Sequence, residues 1–270
     1  MPARMPVVFV GHGSPMNTLE RNRYTEGWSQ IARSLPRPRA VLAISAHWYI
    51  DGTAVTAMEE PRTIHDFGGF PEELHRFQYP APGDPDLAAR VRHLLAPVPV
   101  ALDEGGWGLD HGTWSVLAHM YPKADVPVVQ LAIDRGEPNE FHYALGQSLA
   151  ALRDDGILIL GSGDVVHNLR LMQRRPGAKP PDWATVFNDH VRDCLKRHDH
   201  AALIDYEAFG QAARLSVPTL EHYLPLLYVI GAQGENEPIW FPTDGIDMGS
   251  ISMMSVIVGE PKPGVFPPEA

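Results

Sequence analysis

A chain of 270 residues with 44% hydrophobic and 20% charged residues is long enough to form one sizeable globular domain with a substantial core. Its formal net charge of −11 disfavours nucleic acid and anionic membranes as partners, because their phosphates would be repelled. Cys194 is the single cysteine, so an internal disulfide framework is excluded. The sequence has neither an apolar run of bilayer length nor a signal-peptide pattern, so we expect a cytoplasmic protein.

Buried strands and amphipathic helices alternate along the chain. Short continuous apolar runs, typical of strands buried on both faces, predict strands at Pro6–Gly11, Ala40–Trp48, Val126–Ile133 and Ile157–Gly163. Helical patterns are predicted at Arg21–Ser34, Asp84–Ala96, Asn139–Asp154, Asp182–His198 and Thr219–Ile230. This alternation predicts an α/β fold, with one domain over residues 1–270, a central mostly parallel or mixed sheet, and helices on both faces.

The C-terminal part of the chain departs from this alternation. Glu237–Asp244 and Gly249–Gly259 are close in sequence and joined by Gly and Asp turn residues, which predicts an antiparallel strand pair. The proline-rich stretch Arg174–Pro181 is typical of a loop. Residues 261–270 are expected to form a flexible tail.

Three histidines lie where predicted strands end. His12 follows the first strand, His47 lies at the end of the second, and His167 follows the fourth. Because the carboxyl ends of parallel strands form the ligand-binding edge of an open α/β sheet, we expect these imidazoles to converge as metal ligands or proton carriers. His12 is flanked by two glycines, so its sequence neighbours provide almost nothing to bury it.

Two further histidines join this set. His111 lies in the glycine-rich segment GWGLDHGTW, and Glu221 and His222 begin the predicted helix Thr219–Ile230. Adjacent helical residues point about 100° apart, so only one of these two is expected to face the site. His142, by contrast, lies within an amphipathic helix and is interpreted as a partly buried, hydrogen-bonded side chain.

These motifs resemble those of the class III extradiol ring-cleaving dioxygenases, the LigB superfamily, and more narrowly its DOPA 4,5-dioxygenase group. The matching motifs, in chain order between residues 11 and 232, are GHGSPM, SAHW, HDFGGFP, DHGTW, GSGDVVHNL and EHYLPLLYVIGA. The resemblance implies an Fe(II) enzyme that cleaves a catechol, DOPA-like or a related catecholic acid, with O2 to a muconic semialdehyde. Zn(II) accepts three or four histidines in a tetrahedral site, so we also expect that it can occupy this site in an isolated sample.

The resemblance implies His12, His47 and His222 as metal ligands. The wider superfamily has a glutamate where His222 stands, so Glu221 remains open as the alternative third ligand. By the same resemblance, His111 and His167 are catalytic acid/base residues, and His167 is also a metal ligand in the DOPA-type group.

Counting coordination positions narrows the role of His167. Three protein ligands leave an octahedral ion three positions, enough for two catechol oxygens and O2, so His167 is expected to be a base and at most a labile ligand. The candidates for an aromatic substrate slot are Trp48, Phe67, Phe70, Trp114 and Tyr223. Ser14 and Thr113 are further candidates for substrate contact.

Two other classes of function remain open at this point. A zinc-dependent hydrolase would use the same histidines with a metal-bound water as the nucleophile. A Memo-type protein of the same superfamily would bind a partner without catalysis, although His111 and His167 favour an enzyme. The expected partners are a small catechol and O2, and we expect neither nucleic acid nor a membrane as a partner. Assembly into a homo-oligomer remains an open alternative.

Overall fold

The computed structural model describes residues 4–173 and 179–265. The strands are β1 (Val7–Gly11), β2 (Ala40–Ile50), β3 (Thr53–Thr56), β4 (Val100–Asp103), β5 (Val128–Asp134), β6 (Ile157–Gly163), β7 (Ile239–Thr243), β8 (Ile246–Asp247), β9 (Ile251–Ser252) and β10 (Ser255–Val258). The helices are α1 (Arg23–Ser34), α2 (Glu72–Arg76), α3 (Pro85–Leu94), α4 (His111–Met120), α5 (Asn139–Leu149), α6 (Asp182–Lys196), α7 (His200–Ile204), α8 (Gln211–Ser216) and α9 (Leu224–Gly231). Within these described ranges, no helix is long and apolar enough to cross a membrane.

Eight of the described strands form one mixed sheet in the order β4-β3-β5-β2-β6-β1-β10-β7. The central strands β5, β2, β6 and β1 are parallel to one another. Towards the edges, β3 is antiparallel to β5, and β10 is antiparallel to both β1 and β7. The predicted α/β architecture with a mixed sheet is therefore confirmed, and the predicted C-terminal strand pair is the β7–β10 pair.

The central strands separate two apolar cores. Because successive strand residues point to opposite faces, Val7 and Phe9 of β1 enter one core, whereas Val8 and Val10 enter the other. Residues of α3, α5, α6 and α9 pack in the first core, and residues of α1 and α4 pack in the second. Helices thus cover both faces of the sheet.

The structure differs from the sequence prediction at several boundaries. β3 and β4 have no predicted counterpart, because four-residue segments containing threonine and aspartate lack a continuous apolar run. The predicted helix Thr219–Ile230 begins only at Leu224, since Pro225 lies in its first turn, where its missing N–H costs no helical bond. The predicted loop and tail lie partly outside the described residues, which omit 174–178 and 266–270.

Candidate active site

The carboxyl ends of the parallel strands bring five histidines together. His12 follows β1, His47 lies near the end of β2, His111 opens α4, His167 follows β6, and His222 lies in the turn before α9. The ring centroid of His12 is 5.1 Å from that of His47 and 5.3 Å from that of His222. The imidazoles that the sequence assigns to this edge of the sheet therefore form one cluster.

His12 is buried despite its glycine neighbours, with 1% of its surface exposed. Its Nδ1 lies 3.0 Å from Oγ of Ser162, and that hydroxyl donates its proton to the carbonyl oxygen of Gly112 at 2.5 Å. Since a serine hydroxyl has one proton, Ser162 accepts a hydrogen bond from Nδ1–H of His12, which leaves the lone pair on Nε2. Other strands and loops, rather than sequence neighbours, shield this ring.

Asp66 holds two of the histidines through its two carboxylate oxygens. Its Oδ1 accepts from both Nδ1 and the backbone N–H of His111, each at 3.0 Å, and its Oδ2 lies 3.0 Å from Nδ1 of His47 as an ion-pair partner. Burial by itself would raise the pKa of Asp66, but the adjacent imidazoles of His111 and His47 lower that pKa well below its usual range. Asp66 is thus an ionised carboxylate that orients both rings.

The Nε2 nitrogens of His12 and His47 lie on the far side of each ring from Ser162 and Asp66, and they face one another. Nε2 of His12 and Nε2 of His47 are 3.2 Å apart, and one nitrogen each of His12, His47 and His222 lie within 4.8 Å of one another. When both rings are neutral, with Nδ1 of His12 donating to Ser162 and the proton of His47 on the Nδ1 that faces Asp66, each ring presents the lone pair of Nε2 here. Two nitrogens bound about 2.1 Å from one ion at roughly right angles are about 3 Å apart, so this spacing suits a shared metal.

Asp164 adds a carboxylate oxygen at the same point. Its Oδ1 accepts from the N–H of Gly13 at 3.1 Å, whereas its buried Oδ2 has no hydrogen-bond partner in the described parts of the chain. That oxygen lies 3.7 Å from Nε2 of His12. Burial raises the pKa of Asp164 well above its ordinary value. Imidazole lone pairs and an unpartnered buried oxygen are a donor set that fits a divalent transition-metal cation.

His222 is held between two side chains. Its ring stacks on that of His167, with centroids 3.5 Å apart and planes inclined by 9°. Its Nδ1 lies 3.3 Å from Oε1 of Glu221, so the carboxylate sits behind the ring as an orienting partner. Glu221 belongs to none of the candidate ligand groups found among the described residues, whereas His222 belongs to two of them.

Two glycines of β6 determine how closely the turn that carries His222 approaches the sheet. A Cβ at Gly163 would collide with the carbonyl oxygen of His222, and a Cβ at Gly161 would lie 2.6 Å from the carbonyl oxygen of Pro225. The lack of side chains at these positions allows the turn to rest directly on the strand. His222 therefore reaches the other ligand candidates.

Burial sets the protonation of most of these rings. It lowers the pKa of His12 and of His222 well below the usual range, with the neighbouring imidazoles adding to the effect. Burial also lowers the pKa of His167, to about 4. For His47, burial lowers the pKa, but the adjacent carboxylate of Asp66 and other nearby carboxylates outweigh it and raise the pKa. Neutral imidazoles are the form that binds a metal.

A cavity of about 1310 Å³ leads from these histidines to the surface. Ser14, a predicted substrate contact, lines it together with Phe67 and Phe70, two members of the predicted aromatic slot. The ring of Phe67 meets that of His111 edge-on, with centroids 5.5 Å apart. An aromatic wall therefore adjoins the histidine cluster.

Three predicted substrate contacts lie outside this cavity. Trp48 is buried and stacks on Trp107, with centroids 5.8 Å apart. Thr113 is fully buried and donates to Oε1 of Gln130 at 2.8 Å, and the hydroxyl of Tyr223 donates to a backbone carbonyl at 2.8 Å. Trp114, from the predicted slot, is likewise a core side chain. Each of these residues packs in the protein interior, where its polar atom or ring has a partner within the protein. None of them therefore faces the cavity.

The mixed sheet has a buried histidine cluster at the carboxyl edge of its parallel strands. Together these two features place the protein in the class of α/β enzymes with a candidate metal site. A family model described as the catalytic LigB subunit of aromatic ring-opening dioxygenase matches residues 6–258. The chain belongs to this family, and it is an extradiol ring-cleaving dioxygenase, an oxidoreductase.

Individual relatives agree with this family. The chain is 53% identical over 262 residues to the 4,5-DOPA dioxygenase extradiol of Escherichia coli (strain K12), covering 95% of each protein. It is 38% identical over 235 residues to the 4,5-DOPA dioxygenase extradiol of Beta vulgaris, covering 84% of this chain and 87% of the relative. The crystal structure of uncharacterized protein JW3007 from Escherichia coli K12 matches with a TM-score of 0.84 at 49% identity, covering 95% of this chain and all of that one. These matches favour a dioxygenase over the hydrolase and the Memo-type binding protein.

Proposed function

We propose that this enzyme uses Fe(II) to cleave the ring of a DOPA-like or related catecholic acid with O2, giving a muconic semialdehyde. The observation that carries the proposal is the 3.2 Å approach of two imidazole nitrogens, Nε2 of His12 and Nε2 of His47, at the inner end of the cavity. His12, His47 and His222 would hold the ion. Bound Fe(II) would supply Lewis acidity toward the diol and the redox chemistry that O2 requires, whereas Zn(II) fits the same donors but is not redox-active.

His167 is assigned as the base that takes a proton from the catechol. Burial lowers its pKa to about 4, so the ring is neutral at pH 7 and has a lone pair to accept a proton. The residue lines the cavity and stacks on His222 at 3.5 Å. A neutral imidazole beside a proposed ligand is well placed to deprotonate a diol bound there.

His111 is assigned as the acid that donates a proton as the ring opens. Burial and the neighbouring His47 lower its pKa, although the hydrogen bond to Asp66 opposes this shift. The ring is consequently neutral at pH 7, so it must first take up a proton released from the diol, which it then gives up readily as the ring opens. Because Asp66 fixes Nδ1, the opposite nitrogen, Nε2, is left for proton exchange.

The cavity supports a flat aromatic substrate. Phe67 and Phe70 provide a wall of rings next to His111, and Ser14 adds a hydroxyl at the same cavity. Relatives named 4,5-DOPA dioxygenase extradiol support the choice of a catechol with a side chain of that kind. We further propose the cytoplasm as the location, since the single cysteine is a free thiol.

The test is reconstitution with Fe(II) or Zn(II) in the absence of air, followed by addition of a panel of catechols and then of O2. We expect O2 uptake and a yellow ring-opened product with Fe(II), and neither with Zn(II). His12→Ala, exposed to the same Fe(II), should give no product. An iron-loaded enzyme that consumes no O2 with any catechol would overturn the proposal.

A further inference from the structure

One cationic side chain at the cavity has no part in the chemistry described so far. Arg23, the first residue of α1, is the only lysine or arginine among the described residues that line the cavity. Within the described ranges, no carboxylate lies within 4.0 Å of its guanidinium, whereas Arg135, Arg153 and Arg192 each have one. An unpaired cation facing a cavity, in a chain with a net charge of −11, suits an anionic group of a ligand.

The guanidinium of Arg23 is held in place by its neighbours. Its Nη2 donates to Oη of Tyr24 at 2.5 Å, and its central carbon lies 4.6 Å from the centroid of the Tyr24 ring. A Cβ at Gly245 would lie 2.6 Å from Nη2, so the glycine leaves the guanidinium room. An arginine side chain has five N–H donors, and among the described residues only the hydroxyl of Tyr24 accepts a hydrogen bond from one of them. The other donors are available for a ligand.

Hydrogen bonds also connect Asn22, the residue before Arg23, to the histidine cluster. The side chain of Asn17 donates to the carbonyl oxygen of His12 at 3.0 Å, and the side chain of Asn22 donates to Oδ1 of Asn17 at 2.9 Å. Asn22 is the N-cap of α1, so this relay ends at the residue that precedes Arg23. The position of Arg23 is thereby fixed relative to a proposed metal ligand.

We propose that Arg23 determines substrate specificity by binding a carboxylate on the substrate side chain, at the end remote from the diol. The inference rests on the proposed function, because it presumes a catechol bound by the histidine cluster. A guanidinium matches a carboxylate with two parallel N–H bonds, which favours an acid over a neutral analogue of equal size. Glu20 and Asp247 line the same cavity, so its lining also offers carboxylates to an ammonium group.

The test compares two probes of equal size, 3-(3,4-dihydroxyphenyl)propionate and its primary amide. Anaerobic calorimetric titrations of Fe(II)-loaded enzyme measure the affinity of each probe for wild type, Arg23→Gln and Arg23→Lys. We expect wild type to bind the acid about tenfold more tightly than the amide, a moderate value because Arg23 is solvent-exposed. Arg23→Gln should bind both probes equally, and Arg23→Lys should keep part of the preference.

Arg21→Gln is the matched control, because Arg21 is an exposed arginine two residues away that does not line the cavity. This variant should keep the full preference for the acid. Equal binding of acid and amide by wild type, or an unchanged preference in Arg23→Gln, would overturn the assignment while leaving catechol cleavage intact. If the loaded wild-type enzyme binds neither probe and turns over no catechol, the proposed function fails, and the carboxylate subsite fails with it.

Discussion

Two buried histidines of this protein have similar exposure but very different surroundings. His142, on α5, is fully buried, and its Nδ1 lies 2.9 Å from the hydroxyl of Tyr228 on α9, within an apolar core. His12 is equally inaccessible, but its Nε2 faces a second imidazole at 3.2 Å and an unpartnered carboxylate oxygen of Asp164 at 3.7 Å. Burial lowers the pKa of both rings. Burial alone therefore does not make a candidate metal site, and the convergence of several donor atoms is what distinguishes His12 from His142.

The largest expected effect separates these two histidines directly. His12→Ala should weaken metal binding by more than about 100-fold, because it removes a proposed ligand rather than an outer partner. His142→Gln should keep metal and activity and lose about 1 kcal/mol of unfolding free energy with its hydrogen bond. Metal content after dialysis against a competing chelator, together with urea unfolding, measures both. Equal metal retention in the two variants would contradict the distinction.

A smaller effect is expected from the carboxylate that orients the cluster. Asp66→Asn should weaken metal binding and lower turnover by roughly 10–100-fold, since a neutral amide replaces the charged acceptor of His47 and His111. Asp51→Asn is the control, because Asp51 pairs with Arg135 at the exposed surface. Chelator competition and steady-state rates provide the measurements. If both variants bind metal as wild type does, Asp66 has no role in ligand orientation.

The last effect concerns pH and the core histidine, and it leaves the metal site untouched. The pKa of His142 is lowered to about 4 in the folded protein, below the unfolded value of about 6.5, so the unfolded chain takes up the proton first as pH falls. Its contribution to stability is complete above pH 6.5 and is lost as pH falls toward 4. Between pH 7 and pH 5 this loss is about 2 kcal/mol. His142→Gln should lose that much less than wild type over the same interval, as measured by urea midpoints, and parallel losses would refute the assignment.

Long apolar runs made the centre of the fold predictable. The sequence prediction for β6 has the observed bounds, and that for β2 ends two residues early. The short strands β3 and β4 could not be found in this way, because their pairing partners, not their composition, make them strands. The late start of α9 had a readable signal in Pro225, which belongs in the first turn of a helix.

The site was predictable where it depends on strand ends and less so elsewhere. The sequence assigns His12, His47 and His167 to one edge, and the structure brings them together there. Asp66 lies 45 residues before His111 in a loop, so only the tertiary fold reveals their bond. Asp164 had a readable signal in the sequence. Its carboxylate comes directly after a predicted strand, within the GSGDVVHNL motif, and so has the same placement as the histidines.

The glycines of β6 also bear on how this enzyme can be changed in the laboratory. Any side chain at Gly163 would strike the backbone of the turn that carries His222, so a library randomised there consists largely of variants with a displaced ligand candidate. The mouth of the cavity has no such restriction, because exposed side chains such as Leu169 line it. New substrate preferences should therefore be selected from mutations at the mouth, with the floor left unchanged.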